Sequence, residues 1–146
     1  FFLTSPPKKR KRMTALATVQ AYYTHFNDKN WQGMLDLLHP AVKHEANQGG
    51  TREGKELFAE FLAHMERCYD EQLTDMVFFA EPNNERVAVE FVVNGTYQST
   101  DSDLPAAKGQ KYVLPAGAFL AVEDGQITRV TTYYNLPLWM KMVGAK

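Results

Sequence analysis

Cysteine is nearly absent from this 146-residue chain, which has a single thiol at Cys68. One thiol cannot close an intrachain disulfide and cannot build the multi-cysteine sets that hold structural zinc. The composition therefore suits a reducing compartment, and we expect a cytoplasmic protein. Cys68 itself falls on the apolar stripe of a predicted helix, which favours a packing role over a catalytic one.

The sequence also lacks the runs and motifs that mark several other classes of protein. No apolar run approaches the roughly 18 residues that a membrane-spanning helix requires, so no membrane partner is predicted. Gly49 and Gly50 are not followed by the Lys-Ser or Lys-Thr of a phosphate-binding loop. The four histidines lie on different predicted elements without a metal-binding spacing such as H-x-x-x-H, so we expect no metal site. They are His25, His39, His44 and His64. No other cofactor is implied by the sequence.

Positive charge is concentrated in one place, the five consecutive cations of residues 8–12. The whole chain has a formal net charge of −1, and outside that run 11 basic residues face 17 acidic ones. The remainder of the chain is therefore acidic, which argues against a nucleic-acid partner.

Residues 1–12, FFLTSPPKKRKR, are predicted to be a disordered basic leader outside the folded domain. Pro6 and Pro7 disfavour a helix, and the adjacent cations repel one another. One interpretation is that Met13 is the natural start and that the leader is added or upstream sequence. The alternative is a nuclear import signal of the monopartite basic type, which would make the protein nuclear if the leader is native.

Helical periodicity dominates the first half of the remaining chain. Apolar residues at helical spacing predict one helix over residues 14–27 and another, with a broad apolar stripe, from residue 57 to residue 68. Between them, Asn30 is a suitable N-cap for a short helix that reaches Leu38 and that Pro40 would close.

From residue 72 onward the apolar period changes from helical spacing to two, which is typical of strands. A shorter alternating segment at residues 41–46, with Val42 and His44 on one face, predicts an earlier strand. Asn135 is a suitable N-cap for a short C-terminal helix. The four long strands are predicted at residues 73–81, 86–99, 112–122 and 126–134.

Helices followed by long strands indicate the α+β class. Consecutive long strands tend to pair as antiparallel hairpins, and the resulting sheet must bury one face against the helices. Gly95, Pro115 and Gly117 interrupt the strand patterns and favour bends or bulges. We therefore predict three N-terminal helices packed on a strongly curved antiparallel sheet, in a cone-shaped barrel over residues 13–146 with a cavity on its concave side.

Several phrases resemble the superfamily that includes nuclear transport factor two, ketosteroid isomerase, scytalone dehydratase, limonene epoxide hydrolase and the SnoaL-like polyketide cyclases. The resemblance spans residues 13–143 and is carried by VQAYYTHFNDKNWQGMLDLLHPAV, GKELFAEFL and GAFLAVEDGQITRVTTYYNL. Within the superfamily, HEANQGG and TTYYNL are similar to the ketosteroid isomerase-related branch. The resemblance implies a homodimer paired through the convex faces of its sheets. The outer positions expected at that interface are Ala88, Val92, Leu114 and Leu120.

The resemblance also implies a catalytic role for Tyr22, in the phrase VQAY, where the isomerases donate a hydrogen bond to a developing enolate oxygen. An ordinary half-buried helix tyrosine is the alternative. Where the isomerases place their general-base aspartate and their protonated aspartic acid, this chain has Ala46 and Gly117. The strand arginine and aspartate of the epoxide hydrolases fall near Phe91 and Val93. A literal copy of either mechanism is therefore not expected, and the pocket is predicted to be more apolar.

Other polar residues near the predicted pocket offer a general base. His44 shares a strand face with Ala46 and titrates near neutral pH, although a structural or surface role is the alternative. Glu45 points away in a regular strand, but a bulge before the Gly-Gly loop would turn it inward. Asn47 and Gln48 are predicted at the pocket mouth, where they would orient a carbonyl or a water, or form a turn.

Strand alternation assigns further side chains to the two faces of the sheet. Glu90 lies within an apolar strand and is predicted to face away from the pocket, as is Tyr133. Phe119 is predicted on the pocket wall. With Asn47 and Gln48, the residues predicted to contact substrate are Phe91, Val93, Gly117, Thr132 and Tyr134.

These observations predict a cofactor-independent, isomerase- or cyclase-like enzyme that acts on a small apolar carbonyl compound by general acid–base proton transfer. Its catalytic residues would be Tyr22, His44 and Glu45. The alternative is a non-catalytic ligand-binding or dimerisation module of the same fold, because the acid–base residues of the isomerases are replaced. The predicted partner is a small apolar molecule, and the second hypothesis allows a stable protein interface in its place.

Overall fold

The computed structural model describes residues 13–45 and 49–144 of the chain. Outside these ranges lie the predicted leader and two of the predicted site residues, Asn47 and Gln48, together with Ala46. The helices are α1 (Ala15–Asn27), α2 (Trp31–Asp36), α3 (Lys55–Cys68) and α4 (Leu136–Met142). The strands are β1 (Leu38–Glu45), β2 (Thr51–Glu53), β3 (Tyr69–Ala80), β4 (Arg86–Tyr97), β5 (Lys111–Glu123) and β6 (Gln126–Tyr134).

Side-chain caps fix where the first two helices begin. The Oγ1 of Thr14 accepts a hydrogen bond from the backbone N of Ala17 at 3.0 Å. The Oδ1 of Asn30 accepts one from the backbone N of Gly33 at 3.0 Å, as the sequence predicts. Each cap satisfies a backbone donor that the helix itself leaves unpaired.

The second helix is shorter than predicted, and the strand after it begins earlier. Leu38, predicted in the helix, is the first residue of β1 and is fully buried. Pro40 lies inside β1 instead of closing the helix, because proline favours an extended conformation in the residue before it. The strand then carries Val42 and His44 into the interior, on the face that alternation predicts.

The six strands form one curved, unclosed sheet in the order β2-β1-β6-β5-β4-β3. Consecutive long strands pair as antiparallel hairpins, as predicted, whereas β1 pairs with β6 in parallel. The predicted α+β class, with helices on a curved sheet and a short C-terminal helix, is confirmed. Of the helices that the structure describes, none has the length and apolar character needed to cross a bilayer.

Strand β5 turns the opposite set of side chains inward from the predicted one. Leu114 and Leu120, predicted on the outer face, are 4% and 2% exposed. Phe119, predicted on the pocket wall, is 47% exposed, and Gly117 shares its outer face. These predictions are wrong because both alternating sets of β5 contain apolar residues, so alternation alone does not select the buried set.

Asn27 ties the end of α1 to the edge strand β3. Its Nδ2 donates a hydrogen bond to the carbonyl oxygen of Leu73 at 3.0 Å, and the backbone N of Leu73 donates to its Oδ1 at 2.8 Å. The side-chain amide of Asn27 therefore pairs with the backbone of Leu73 as a neighbouring strand would. Two residues after Leu73, strand β3 has a bulge, where Asp75 has a φ of 55°. This pairing fixes α1 over the irregular part of the sheet.

We predict that Asn27→Ala lowers the free energy of unfolding by about 1–3 kcal/mol, because a half-buried backbone N–H and C=O of Leu73 lose their partners. Urea denaturation followed by circular dichroism measures the change. Asn83→Ala, at an exposed turn position, is the matched control. A loss in Asn27→Ala no larger than in the control would contradict this role.

Candidate active site

A cavity of about 670 Å³ lies between the concave face of the sheet and the helices. Its wall is mixed rather than wholly apolar. The apolar part includes Phe61, Leu73, Phe91, Val93, Leu114 and Val130. The polar part includes Tyr22, His44, Arg52, Glu71, Asp101 and Tyr112.

His44 lies on this wall with only 4% of its surface exposed. Its ring packs against Phe58 and Phe61, at centroid distances of 4.7 and 4.4 Å. Burial, and then the nearby charge of Arg52, lower the pKa of His44 to about 4, so the ring is neutral at physiological pH. Its Nδ1 has no hydrogen-bond partner, so no described neighbour fixes which ring nitrogen holds the proton.

Tyr22 also lines the cavity and is buried. It packs edge-on against Tyr23 and Phe58, at 5.0 and 6.5 Å between ring centroids. Burial raises the pKa of Tyr22 well above its ordinary value, so its hydroxyl remains protonated and can donate a hydrogen bond. Tyr22 and His44 both contact the ring of Phe58, which places them on the same part of the wall.

Glu45 lies outside the cavity wall, because β1 continues its regular alternation to its last residue. Its Oε2 accepts a hydrogen bond from the Oγ1 of Thr131 at 3.0 Å, and its Oε1 lies 3.9 Å from the Nε of Arg129. The inward-turning bulge considered for Glu45 is therefore wrong. Its carboxylate belongs to a small polar group on the opposite face of the sheet.

Strand alternation separates the predicted substrate-contact residues into those that face the cavity and those that do not. Phe91, Val93, Thr132 and Tyr134 line the cavity. Gly117 does not, because β5 presents Leu114 and Ala116 to the cavity and turns Gly117 outward. Asn47 and Gln48 lie outside the described residues, so their predicted role at the mouth stays a prediction.

A carboxyl group that the sequence analysis missed, Glu71 on β3, faces the cavity. The hydroxyl of Tyr112 donates a hydrogen bond to its Oε2 at 2.5 Å. Burial raises the pKa of Glu71, and the hydrogen bond from Tyr112 offsets that effect only in part. A carboxyl group with a raised pKa in a largely apolar cavity is suited to act as a general acid or base.

Gly95 makes this pairing possible. The sheet register aligns Glu71, Gly95 and Tyr112 across three neighbouring strands. A Cβ atom at Gly95 would lie 2.2 to 2.4 Å from the ring and hydroxyl of Tyr112, far inside van der Waals contact. The Tyr112 side chain therefore crosses β4 through the space that glycine leaves, and it reaches the carboxyl group beyond.

A second polar group lies where α3 ends and the loop between β4 and β5 returns to it. The Oδ1 of Asp101 is 2.8 Å from the Nε2 of His64, and its Oδ2 accepts a hydrogen bond from the hydroxyl of Tyr69 at 2.6 Å. Burial alone would raise the pKa of Asp101, but the hydrogen bonds from Tyr69 and His64 outweigh it and lower the pKa. Asp101 is therefore a carboxylate whose oxygens both have partners, which makes it a poor proton acceptor.

His64 and Asp101, together with Cys68, could in principle hold a metal ion. Their ligand atoms lie within 4.8 Å of one another, and no other such group occurs in the described part of the chain. Neither a histidine pair nor a cysteine set marks this group in the sequence, because it joins His64 and Cys68, four residues apart on α3, to Asp101 from a distant loop. Burial raises the pKa of the Cys68 thiol, and hydrogen bonds already satisfy Asp101, so the grouping is accounted for without a metal.

Comparison with known proteins gives one family match and several close structural matches. A model of the SnoaL-like domain matches residues 19–130. Three solved structures, each named a "putative polyketide cyclase", match nearly the whole chain. The Pseudomonas putida KT2440 protein is 47% identical with a TM-score of 0.89, and the match covers 90% of this chain and 99% of that one.

The second structure, from Silicibacter sp. TM1040, is 50% identical, with a TM-score of 0.89 and coverage of 94% and 100% of the two chains. The third, from Xanthomonas campestris, is 51% identical, with a TM-score of 0.86 and coverage of 89% and 96%. No curated protein matches the sequence.

We predict that acid destabilises the protein partly through His44. The folded state holds the pKa of His44 near 4, below its ordinary value of 6.5, so as the pH falls the unfolded chain takes up this proton first. The stability due to neutral His44 is complete above about pH 6.5 and is lost between about pH 6.5 and pH 4, by at most about 1.4 kcal/mol per pH unit.

Urea denaturation at about pH 7 and about pH 5 measures this loss. Between these two values the wild type is expected to lose more stability than His44→Gln, whose amide does not titrate. Equal losses in the two proteins would mean that His44 is not held neutral by the fold.

Proposed function

Because the chain belongs to the SnoaL-like domain family, as the match over residues 19–130 shows, we propose that it is an enzyme that moves protons on a small, largely apolar carbonyl compound. The reaction class is isomerase- or cyclase-like. Both a double-bond shift and an aldol-type ring closure begin when a base removes the proton beside a carbonyl group. The three similar structures named as polyketide cyclases support this class.

The observation that carries the proposal is the Glu71 carboxyl group on the cavity wall. Burial raises its pKa, which makes it a stronger base than an exposed glutamate. The hydrogen bond from Tyr112 fixes the orientation of the carboxyl group. Leu73, the next inward residue of β3, and Val93 beside it give the substrate an apolar surface next to the base.

Removal of a proton beside a carbonyl group leaves negative charge on the carbonyl oxygen, and that charge requires hydrogen-bond donors. Tyr22 is a buried hydroxyl that stays protonated, and His44 is a neutral ring that can present an N–H. Both lie on the wall of the same cavity as Glu71. In the proposed mechanism Glu71 takes the proton and returns it, and Tyr22 stabilises the enolate between these two steps.

We further propose that two copies of the chain associate through the convex face of the sheet. Phe79, Phe119 and Tyr133 are 56%, 47% and 52% exposed on this face. Phe79 and Phe119 flank Ala88 in the strand register, and the rings of Phe119 and Tyr133 lie 5.8 Å apart. A contiguous apolar surface of this kind is typical of a protein interface.

We predict that Glu71→Gln reduces proton exchange at least about a hundredfold, because the amide keeps the shape of the side chain but cannot accept the proton. The measurement is deuterium incorporation from D2O beside the carbonyl group in a panel of cyclic ketones, followed by NMR. Glu66→Gln, at an exposed position on α3, is the matched control and should match the wild type.

If the wild type exchanges protons no faster than Glu71→Gln for every ketone of the panel, the proposal that the protein is an enzyme is contradicted. That result would favour the alternative of a ligand-binding module with the same fold.

We predict that Phe119→Glu converts a dimer into a monomer, because it places a charge in the middle of the apolar convex face. Size-exclusion chromatography with light scattering measures the mass in solution. Leu57→Glu is the control, because Leu57 is an exposed apolar residue on α3, away from the sheet. A monomeric wild type, or a dimeric Phe119→Glu, would refute the interface.

A further inference from the structure

We propose that the end of the cavity bounded by Arg52 and His44 binds a carboxylate group of the substrate, so that the substrate is an apolar carbonyl acid. This inference rests on the proposed function only in taking the cavity to be the substrate site. It adds the chemical class of the substrate, which neither the fold nor the similar proteins specify.

Arg52 stands beside His44 in the sheet. The two residues are register partners on β2 and β1, and both line the cavity. The guanidinium carbon of Arg52 lies 5.5 Å from the centre of the Phe61 ring, which also packs against His44. This cation–π contact holds the positive charge against the apolar wall.

Arg52 has no anionic partner among the described residues. The neighbouring cations do have one, since Lys43 pairs with Glu53 and Arg129 with Glu45. The residues outside the described ranges include no Asp or Glu that could pair with Arg52. An arginine at a cavity mouth without a counter-ion offers a planar pair of donors that fits a carboxylate.

His44 supplies the second observation. Its side chain is buried, yet its Nδ1 has no hydrogen-bond partner. A buried polar atom of this kind is uncommon, because it has given up water without gaining another bond. A ring with an unfixed tautomer can present an N–H to a ligand oxygen while Arg52 neutralises the ligand charge.

The carboxylate of Glu71 faces the same cavity but lies at another part of the wall, beside Tyr112 and Trp139. An acidic group on the substrate is therefore favoured at the Arg52 end and repelled at the Glu71 end. The two ends together orient the substrate, with its acid at Arg52 and its reacting carbon toward Glu71.

Calorimetric titration with naphthalene-2-carboxylate and with its neutral counterpart 2-naphthamide tests the proposal. The wild type is expected to bind the carboxylate more tightly than the amide. Arg52→Gln is expected to weaken carboxylate binding about tenfold or more and to leave amide binding within about twofold. Arg86→Gln, at an exposed position of β4 away from the cavity, should bind both probes as the wild type does.

The proposal is overturned if the wild type shows no preference for the carboxylate, whether it binds both probes equally or neither. It is also overturned if Arg52→Gln keeps the full preference. Binding needs no turnover, so a preference for the carboxylate without proton exchange in any ketone would remove the proposed enzyme activity and leave the carboxylate site standing. Proton exchange in a ketone without a preference for the carboxylate would support the enzyme activity and remove the carboxylate site.

Discussion

Each strand of the curved sheet can present only every second side chain to the cavity, and the chemistry of the cavity depends on this constraint. It turns His44 inward and Glu45 outward although the two are adjacent in sequence. It places Glu71 and Leu73 on the same face of β3, so that a titratable group and an apolar surface lie side by side. A shift of one residue in any of these strands would exchange the inner and outer sets and leave a cavity with different chemistry.

The order of elements was predictable because local signals specify it. The cap at Asn30 and the change from helical to alternating spacing are visible in short windows of sequence. The parallel pairing of β1 with β6 was not predictable in this way, because it joins segments far apart in the chain and is selected by the whole packing. The inner face of β5 was mispredicted for a similar reason, since only its neighbours show that Leu114 and not Phe119 faces the core.

The same distinction applies to the site. Tyr22 and His44 could be proposed from local phrases and alternation, and both line the cavity. Glu71 and Asp101 could not, because their significance comes from Tyr112 and Tyr69, which approach from other parts of the chain. A carboxyl group in an alternating segment usually faces solvent, and no pattern in the sequence distinguishes Glu71 from its exposed neighbours. Burial raises the pKa of Glu71, and a tyrosine from two strands away orients the carboxyl group.

Gly95 connects the backbone of the sheet to this chemistry. Any side chain at this position would occupy the space that the Tyr112 ring fills. A residue larger than glycine at position 95 is therefore incompatible with the hydrogen bond from Tyr112 to Glu71. Other sequences of this fold can thus be sorted by inspection. Those that combine glycine at the position of Gly95 with tyrosine and glutamate on the flanking strands can share this acid–base pair, and those with a larger residue there must perform their chemistry with other groups.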